Sequence, residues 1–308
     1  MEVYRYNAPM PAEPIAFVNG RFVPPGELVL SFADAGFASG ATVTDFCRTY
    51  RHRLFRWPDH LARLRRDCAA CHVPLPTPDA ELTTAAGRLV AHNAGLIGEG
   101  DDLALVTFAT PGPLGYMTGA TETGPPTVGM HTFPLPVARY RRFFAEGVTL
   151  EVAGELPTGL PAPVKHRSRL HWWLAERAVK QPGAVPVLLG PGGAADTAIG
   201  GVLAVVGGAV VRPPGGAVLE SVSVGVVREL CERVGLRFVE AAVDFRDPGP
   251  ASELLLAGSG FGLAGVRRFV GPAGAREFAW PGPACRRLQA AWSELVGMDV
   301  AAQFLGSV

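Results

Sequence analysis

The sequence predicts an α/β or α+β protein folded in two lobes. Its 308 residues suffice for two domains of ordinary size. Strand-like and helix-like stretches alternate in both halves. Between the halves, Thr110 to Pro126 is rich in Gly and Pro and has no apolar period. The expected boundaries are a first lobe over 1–122, a connecting loop over 123–136 and a larger lobe over 137–308.

In chain order, Ala16 to Val23 is a hairpin signal, two short apolar strands around Asn19-Gly20, a pair that tolerates positive φ. Leu28 to Phe32 reads as another strand, Asp34-Ala35-Gly36 as a turn, and Thr42 to Tyr50 as β-rich. Pro58-Asp59 opens a helix with Leu61, Leu64, Cys68 and Cys71 on its apolar stripe. A second helix runs from Asp79 to Ala94, and Leu103 to Ala109 is a buried strand. The following Gly/Pro-rich stretch reads as an active-site loop leading to a linker. The second half opens with strands at Val128 to Phe133 and Val148 to Val152, then a helical run from Leu170 to Val179. Val185 to Leu189, Val202 to Val206, Ala209 to Val211, Phe238 to Val243 and Glu253 to Ala257 are strands, with a helix over Ser223 to Val234. No internal repeat is visible.

Lys plus Arg equals Asp plus Glu at 28 each, which gives no net pull toward nucleic acid or anionic membrane. The five cysteines have no metal-ligand spacing, and Cys68 and Cys71 read as thiols of one helix rather than a redox pair. Met1-Glu2-Val3-Tyr4 lacks the basic start and apolar core of a secretion signal. The longest apolar run, Gly192 to Val211, is broken by Asp196 and its glycines. A reducing, cytoplasmic setting is expected.

Only Lys165 and Lys180 are lysines. Lys180 precedes Gln181-Pro182-Gly183 and reads as a C-terminal helix charge. Lys165 lies between a Pro-rich loop (Pro157, Pro161, Pro163) and the Leu170 helix. Desolvation there lowers an amine's pKa, and a neutral amine attacks carbonyls to form Schiff bases. Taken alone, the stretch also fits a solvated lysine beside a helix start. Three places suit a phosphate. Ser221-Val222-Ser223 opens a helix whose first amides are unpaired, although Ser223 serves equally as an N-cap. Gly258-Ser259-Gly260 brings a hydroxyl and backbone amides close to a ligand, or is a plain turn. Arg63 offers a fork of N–H donors, or is a surface arginine.

In order, these pieces resemble the class IV pyridoxal-phosphate aminotransferases, a family that includes branched-chain and D-amino-acid aminotransferases and aminodeoxychorismate lyases. The resemblance runs from Asn19-Gly20-Arg21-Phe22-Val23-Pro24 to about Val270. It takes in Asp34-Ala35-Gly36-Phe37, Arg48-Thr49-Tyr50, Leu54-Phe55-Arg56, His60-Leu61-Ala62-Arg63-Leu64, Lys165, Gly193 to Thr197, Leu219 to Ser223 and Glu253 to Ser259. It implies the two-lobed fold type IV, a small α/β lobe and a larger α/β pseudo-barrel lobe, in a homodimer, with pyridoxal 5'-phosphate as cofactor. Lys165 becomes the Schiff-base lysine and proton carrier. Asp196, in place of the usual glutamate, becomes the partner of the pyridine nitrogen. Arg63, the amides of Val222 and Ser223, and Ser259, in place of the usual threonine, become the phosphate contacts. The implied activity is transamination between an amino acid, branched-chain or otherwise hydrophobic, and a 2-oxo acid. Lys165-His166 with Arg169-Leu170 is similar to the lyase branch, which makes 4-aminobenzoate, and a non-catalytic member is the third alternative. The chain departs from the family pattern at Ser39 and Thr44, where aromatics are common, and at Gly200-Gly201, where a Ser/Asn pair is usual. Thr110 to Tyr116 also lacks the arginine that several branches use for the substrate carboxylate.

Overall fold

Asn19 and Gly20 take φ angles of 45° and 81°, and this positive-φ turn joins β1 (Ala16–Val18) to β2 (Arg21–Val23) in register Phe17↔Phe22. The computed structural model describes residues 13–159 and 163–306; Met1 to Tyr4 and Pro161, used above, lie outside them. Contacts divide the chain into two units, the first running to Leu135 and taking back Lys165–Ser168, the second comprising the rest.

The first unit continues with α1 (Ala35–Ala38), β3 (Val43–Tyr50), β4 (Arg53–Leu54), α2 (Trp57–Ala70), α3 (Asp79–Ala94), β5 (Leu103–Thr110), α4 (Gly115–Thr118) and β6 (Thr127–Pro134). Its strands form one antiparallel sheet in the order β2-β1-β6-β5-β3-β4. Period-2 alternation sends Val43 and Cys47, Leu105 and Ala109, and Val128 and Met130 to one face. There they pack with Leu61, Leu64 and Cys68 of α2 and Leu82, Ala86 and Leu89 of α3 in one core. Asn93 ties α3 to Ile15, the residue before β1, by two hydrogen bonds at 2.9 and 2.8 Å. Asp34 caps α1 through the Gly36 amide at 2.7 Å and also accepts from Thr110 and Thr127, so the expected turn is a one-turn helix pinned to the end of β5 and the start of β6.

Two sequence expectations fail in this unit. Leu28 to Phe32 is not a strand: Val29 and Phe32 are exposed, and no neighbouring strand pairs with them among the described residues. Val128 to Phe133 does not open the second half. It is β6, held between β1 and β5 with Val106 opposite His131.

The second unit holds α5 (Val137–Ala145), β7 (Val148–Glu155), α6 (Leu170–Ala178), β8 (Val185–Leu189), β9 (Ala195–Thr197), β10 (Gly201–Val206), β11 (Ala209–Arg212), α7 (Val222–Arg233), β12 (Arg237–Glu240), β13 (Ala251–Gly258), β14 (Gly262–Gly271), β15 (Gly274–Glu277), α8 (Pro283–Val296) and α9 (Val300–Leu305). Its strands follow the order β12-β11-β10-β13-β14-β7-β8-β9, and β9 also pairs with β10. The path from β10 through β13, β14, β7, β8 and β9 therefore returns on itself as a closed ring. β7 runs parallel to both β14 and β8, and the other pairings within the ring are antiparallel. Buried Leu and Val dominate these strands, and α7 and α8 pack outside on β13 and β14. Lys180 lies beyond the end of α6 rather than in its last turn, and its backbone N–H donates to Glu151 at 2.9 Å. Among the described residues, no helix is long and apolar enough to cross a membrane.

Candidate active site

The six candidate residues divide between the units, Arg63 and Lys165 in the first and Asp196, Val222, Ser223 and Ser259 in the second.

In the first unit, Asp45 occupies the strand face that α2 covers, between Val43 and Cys47. A buried carboxylate there demands donors, and α2 supplies two from one turn. His60 Nδ1 lies 2.6 Å from Asp45 Oδ1, and Arg63 Nε donates to Asp45 Oδ2 at 2.8 Å. All three residues are buried, so Arg63 is no surface arginine. Burial pushes the Asp45 carboxyl up, but the charges and hydrogen bonds of Arg63 and His60 outweigh it and hold the group well below the usual carboxylate range. Burial works against the Arg63 cation, and Asp45 more than offsets that, raising its pKa.

One turn after Arg63, buried Asp67 accepts the backbone N–H of Lys165 at 2.9 Å. The Lys165 carbonyl accepts from Thr44 N–H at 3.0 Å, and Arg167 N–H donates to the Thr42 carbonyl at 2.8 Å. His166 forms an antiparallel bridge with Val43. The lysine segment is thus held beside the start of β3 and the residues before it by four consecutive residues, with Ser168 Oγ donating to the Gly40 carbonyl at 2.8 Å. Lys165 is half-buried and Lys180 exposed. The Cys68 thiol is pushed up to about 12 by burial, in keeping with an inert core thiol.

In the second unit, Asp196 sits on the short strand that closes the ring, opposite Leu188 on one side and Gly201 on the other. It is buried, with Oδ1 accepting from Thr197 N–H at 2.8 Å and Oδ2 facing Leu219 N–H at 3.4 Å. Leu219 leads into α7. Ser221, not Ser223, is the N-cap, its Oγ accepting from Val224 N–H at 3.4 Å. Ser223 is thereby released into the first turn, buried, with its Oγ 3.4 Å from the Oγ of half-buried Ser259. The first amides of α7 have no carbonyl of their own helix to bond, so an anion suits that end. Gly258 and Gly260 flank Ser259 in a tight turn closed by Phe261 N–H to the Gly258 carbonyl at 3.2 Å. A Cβ at Gly258 would collide with the Ile199 carbonyl, and one at Gly260 would lie 2.7 Å from Tyr140 Oη. Two hydroxyls 3.4 Å apart, the first amides of α7 and the glycines beside Ser259 are groups of the kind that can hold an anion. Gly200 answers to packing: a Cβ there would stand 2.6 Å from the Ala257 carbonyl.

Sequence reasoning missed Asp45, Asp67 and the capping role of Ser221. An acid at an inward position of an apolar strand was the available signal for Asp45, with His60 and Arg63 three apart on the covering helix.

The family model for amino-transferase class IV matches residues 42–269. A D-alanine aminotransferase from Bacillus licheniformis is 26% identical over 227 residues, 73% of this chain and 77% of that protein. The branched-chain aminotransferase from Thermoproteus uzoniensis, solved with norvaline, superposes with a TM-score of 0.77 at 19% identity, covering 92% of this chain and 95% of that one. The 4-amino-4-deoxychorismate lyase of Pseudomonas aeruginosa gives 0.70 at 24% identity, covering 91% and 98%.

Proposed function

The chain belongs to the class IV aminotransferases, and from that premise we propose that it transfers an amino group between a branched-chain or other hydrophobic amino acid and a 2-oxo acid, with pyridoxal 5'-phosphate as cofactor. The observation that carries the proposal is half-buried Lys165, one of two lysines in the chain, whose backbone N–H is held by Asp67 of the same helix that carries Arg63. When bound, the cofactor supplies a protonated ring that accepts the electron pair released at the substrate Cα.

The protein's part is positional and electrostatic. Lys165 Nζ would hold the cofactor covalently and would carry the proton at the substrate Cα. Asp196, buried on the ring-closing strand, would hold a proton at the ring nitrogen. Its hydrogen bond from Thr197 fixes one carboxylate oxygen. The amides of Val222 and Ser223 and the Ser223 and Ser259 hydroxyls would hold the phosphate. Arg63, oriented by Asp45, supplies the fixed positive charge that a near-dianionic phosphate requires.

Borohydride reduction of the cofactor-loaded protein and peptide mapping test the reading. The pyridoxyl adduct is expected on Lys165, and amino-group transfer to a 2-oxo acid is expected with hydrophobic amino acids. An adduct on Lys180 alone, or none despite bound cofactor, overturns it. Release of pyruvate and 4-aminobenzoate from aminodeoxychorismate, without transamination, assigns the lyase activity instead.

A further inference from the structure

The sheet of the first unit has a second face, opposite α2 and α3. Phe46, Val106 and His131 form one row across it, because Phe46 pairs with Val106 and Val106 with His131. Phe46, His131 and Phe133 are only half-buried, and the Phe133 ring lies 5.9 Å from His131 and 6.3 Å from Phe46. The bridge at His166 sets the register of the lysine segment. His166 shares the side of Val43, so Lys165 and Arg167 share the side of Thr42, Thr44 and Phe46.

Arg167 is unusual there. Among the described residues, its guanidinium makes no hydrogen bond or ion pair. The buried carboxylates of the unit are engaged elsewhere: Asp45 by His60 and Arg63, Asp102 by Arg48 and Thr49, Asp67 by Arg66 and the Lys165 amide, Asp34 by Thr110 and Thr127. The residue is exposed to solvent, although neighbouring atoms desolvate the charged group enough to lower its pKa. Burial also lowers the His131 pKa, and the Arg167 charge adds to that effect. An exposed cation without a counter-charge, on the same side of the chain as Lys165, is open to an anionic ligand.

We propose that Arg167 binds the α-carboxylate of the amino acid or 2-oxo acid on which Lys165 acts, in a subsite bounded by His131 and the rings of Phe46 and Phe133. The proposal rests on the aminotransferase reading above. Residues two apart on an extended chain stand about 6–7 Å from each other on one face, so two long side chains converge on neighbouring atoms of a small substrate. A guanidinium fork takes both oxygens of a carboxylate, which the flanking threonines and rings cannot do.

The test compares the cofactor-loaded parent with Arg167→Leu and Arg167→Lys. Calorimetry with 4-methylpentanoate, a carboxylate that carries no amino or oxo group, reads the subsite without turnover. Arg167→Leu is expected to weaken its binding and raise the amino-acid KM by about 10- to 100-fold, with a much smaller change in kcat. Arg167→Lys should recover part of the loss. Discrimination between a hydrophobic amino acid and the amine of the same side chain should fall by the same factor. Unchanged probe binding and KM overturn the proposal, as does a loss confined to substrates with a second carboxylate. A parent without the Lys165 adduct refutes the aminotransferase reading. A variant that keeps the adduct and its carboxylate affinity refutes the subsite alone.

Discussion

Replacing Asp45 by Asn keeps the side chain's shape and removes the charge that Arg63 and His60 share. Arg63 Nε at 2.8 Å and His60 Nδ1 at 2.6 Å would then face a neutral amide, with Arg63 6% and Asp45 3% exposed. Breaking a buried pair by neutralising one partner costs about 3–5 kcal/mol, because the remaining charge stays out of water. At roughly 2–4 °C per kcal/mol for a unit of this size, the melting transition of the variant falls by about 6–20 °C. The pH dependence has a definite sign. The folded Asp45 pKa lies below its unfolded value, so its contribution is complete above the unfolded value of about 3.9 and is lost as pH falls through the folded one. Urea unfolding of parent and variant should give a constant stability gap from pH 7 to pH 5 that narrows below about pH 4. A loss under about 1 kcal/mol at pH 7, the worth of an exposed pair, would refute the argument. So would a gap that acid leaves unchanged.

Two further substitutions address the second unit. Asp196→Asn should retain cofactor, measured by absorbance, while turnover falls on the order of 100-fold, since an amide cannot hold the ring-nitrogen proton; unchanged turnover would assign that role elsewhere. Gly200→Ser should destabilise by about 1–3 kcal/mol in chemical denaturation, because its Cβ meets the Ala257 carbonyl at 2.6 Å and backbone cannot yield cheaply; a neutral effect would mean that this turn moves.

Local signals made much of this fold legible. Asn19-Gly20 specifies its hairpin within a few residues, and the helix expected over Asp79 to Ala94 has those bounds in the structure. What failed depended on partners distant in sequence. Leu28 to Phe32 has strand composition, but a strand exists only beside another strand. Val128 to Phe133 does have partners, Phe17 and Val106 among their strands, and they lie on the far side of the Gly/Pro-rich stretch. The amphipathic helices Val137–Ala145 and Pro283–Val296 went unread, although both bury aromatic residues. At the site, Lys165 stood out by rarity and Asp196 by its place in an apolar run. The carboxylate that orients Arg63 was hidden because Asp45 and Arg63 meet only across a helix–sheet interface. Ser223 is not the N-cap of its helix, because Ser221 makes the capping bond.

Closure of the second unit's ring also bears on how this chain meets other molecules. An unpaired strand edge is a template on which a further strand can be added, and long, flat edges are the hazardous ones. The ring strands are bonded on both sides. The strands left at the margins are Arg237–Glu240 and Gly274–Glu277 in this unit, and Arg21–Val23 and Arg53–Leu54 in the other. Each has four residues or fewer and carries at least one arginine. A valine- and leucine-rich chain with nearly balanced charge would otherwise be prone to edge-to-edge association. Here the hydrophobic strands are the enclosed ones, and the exposed margins are short and charged.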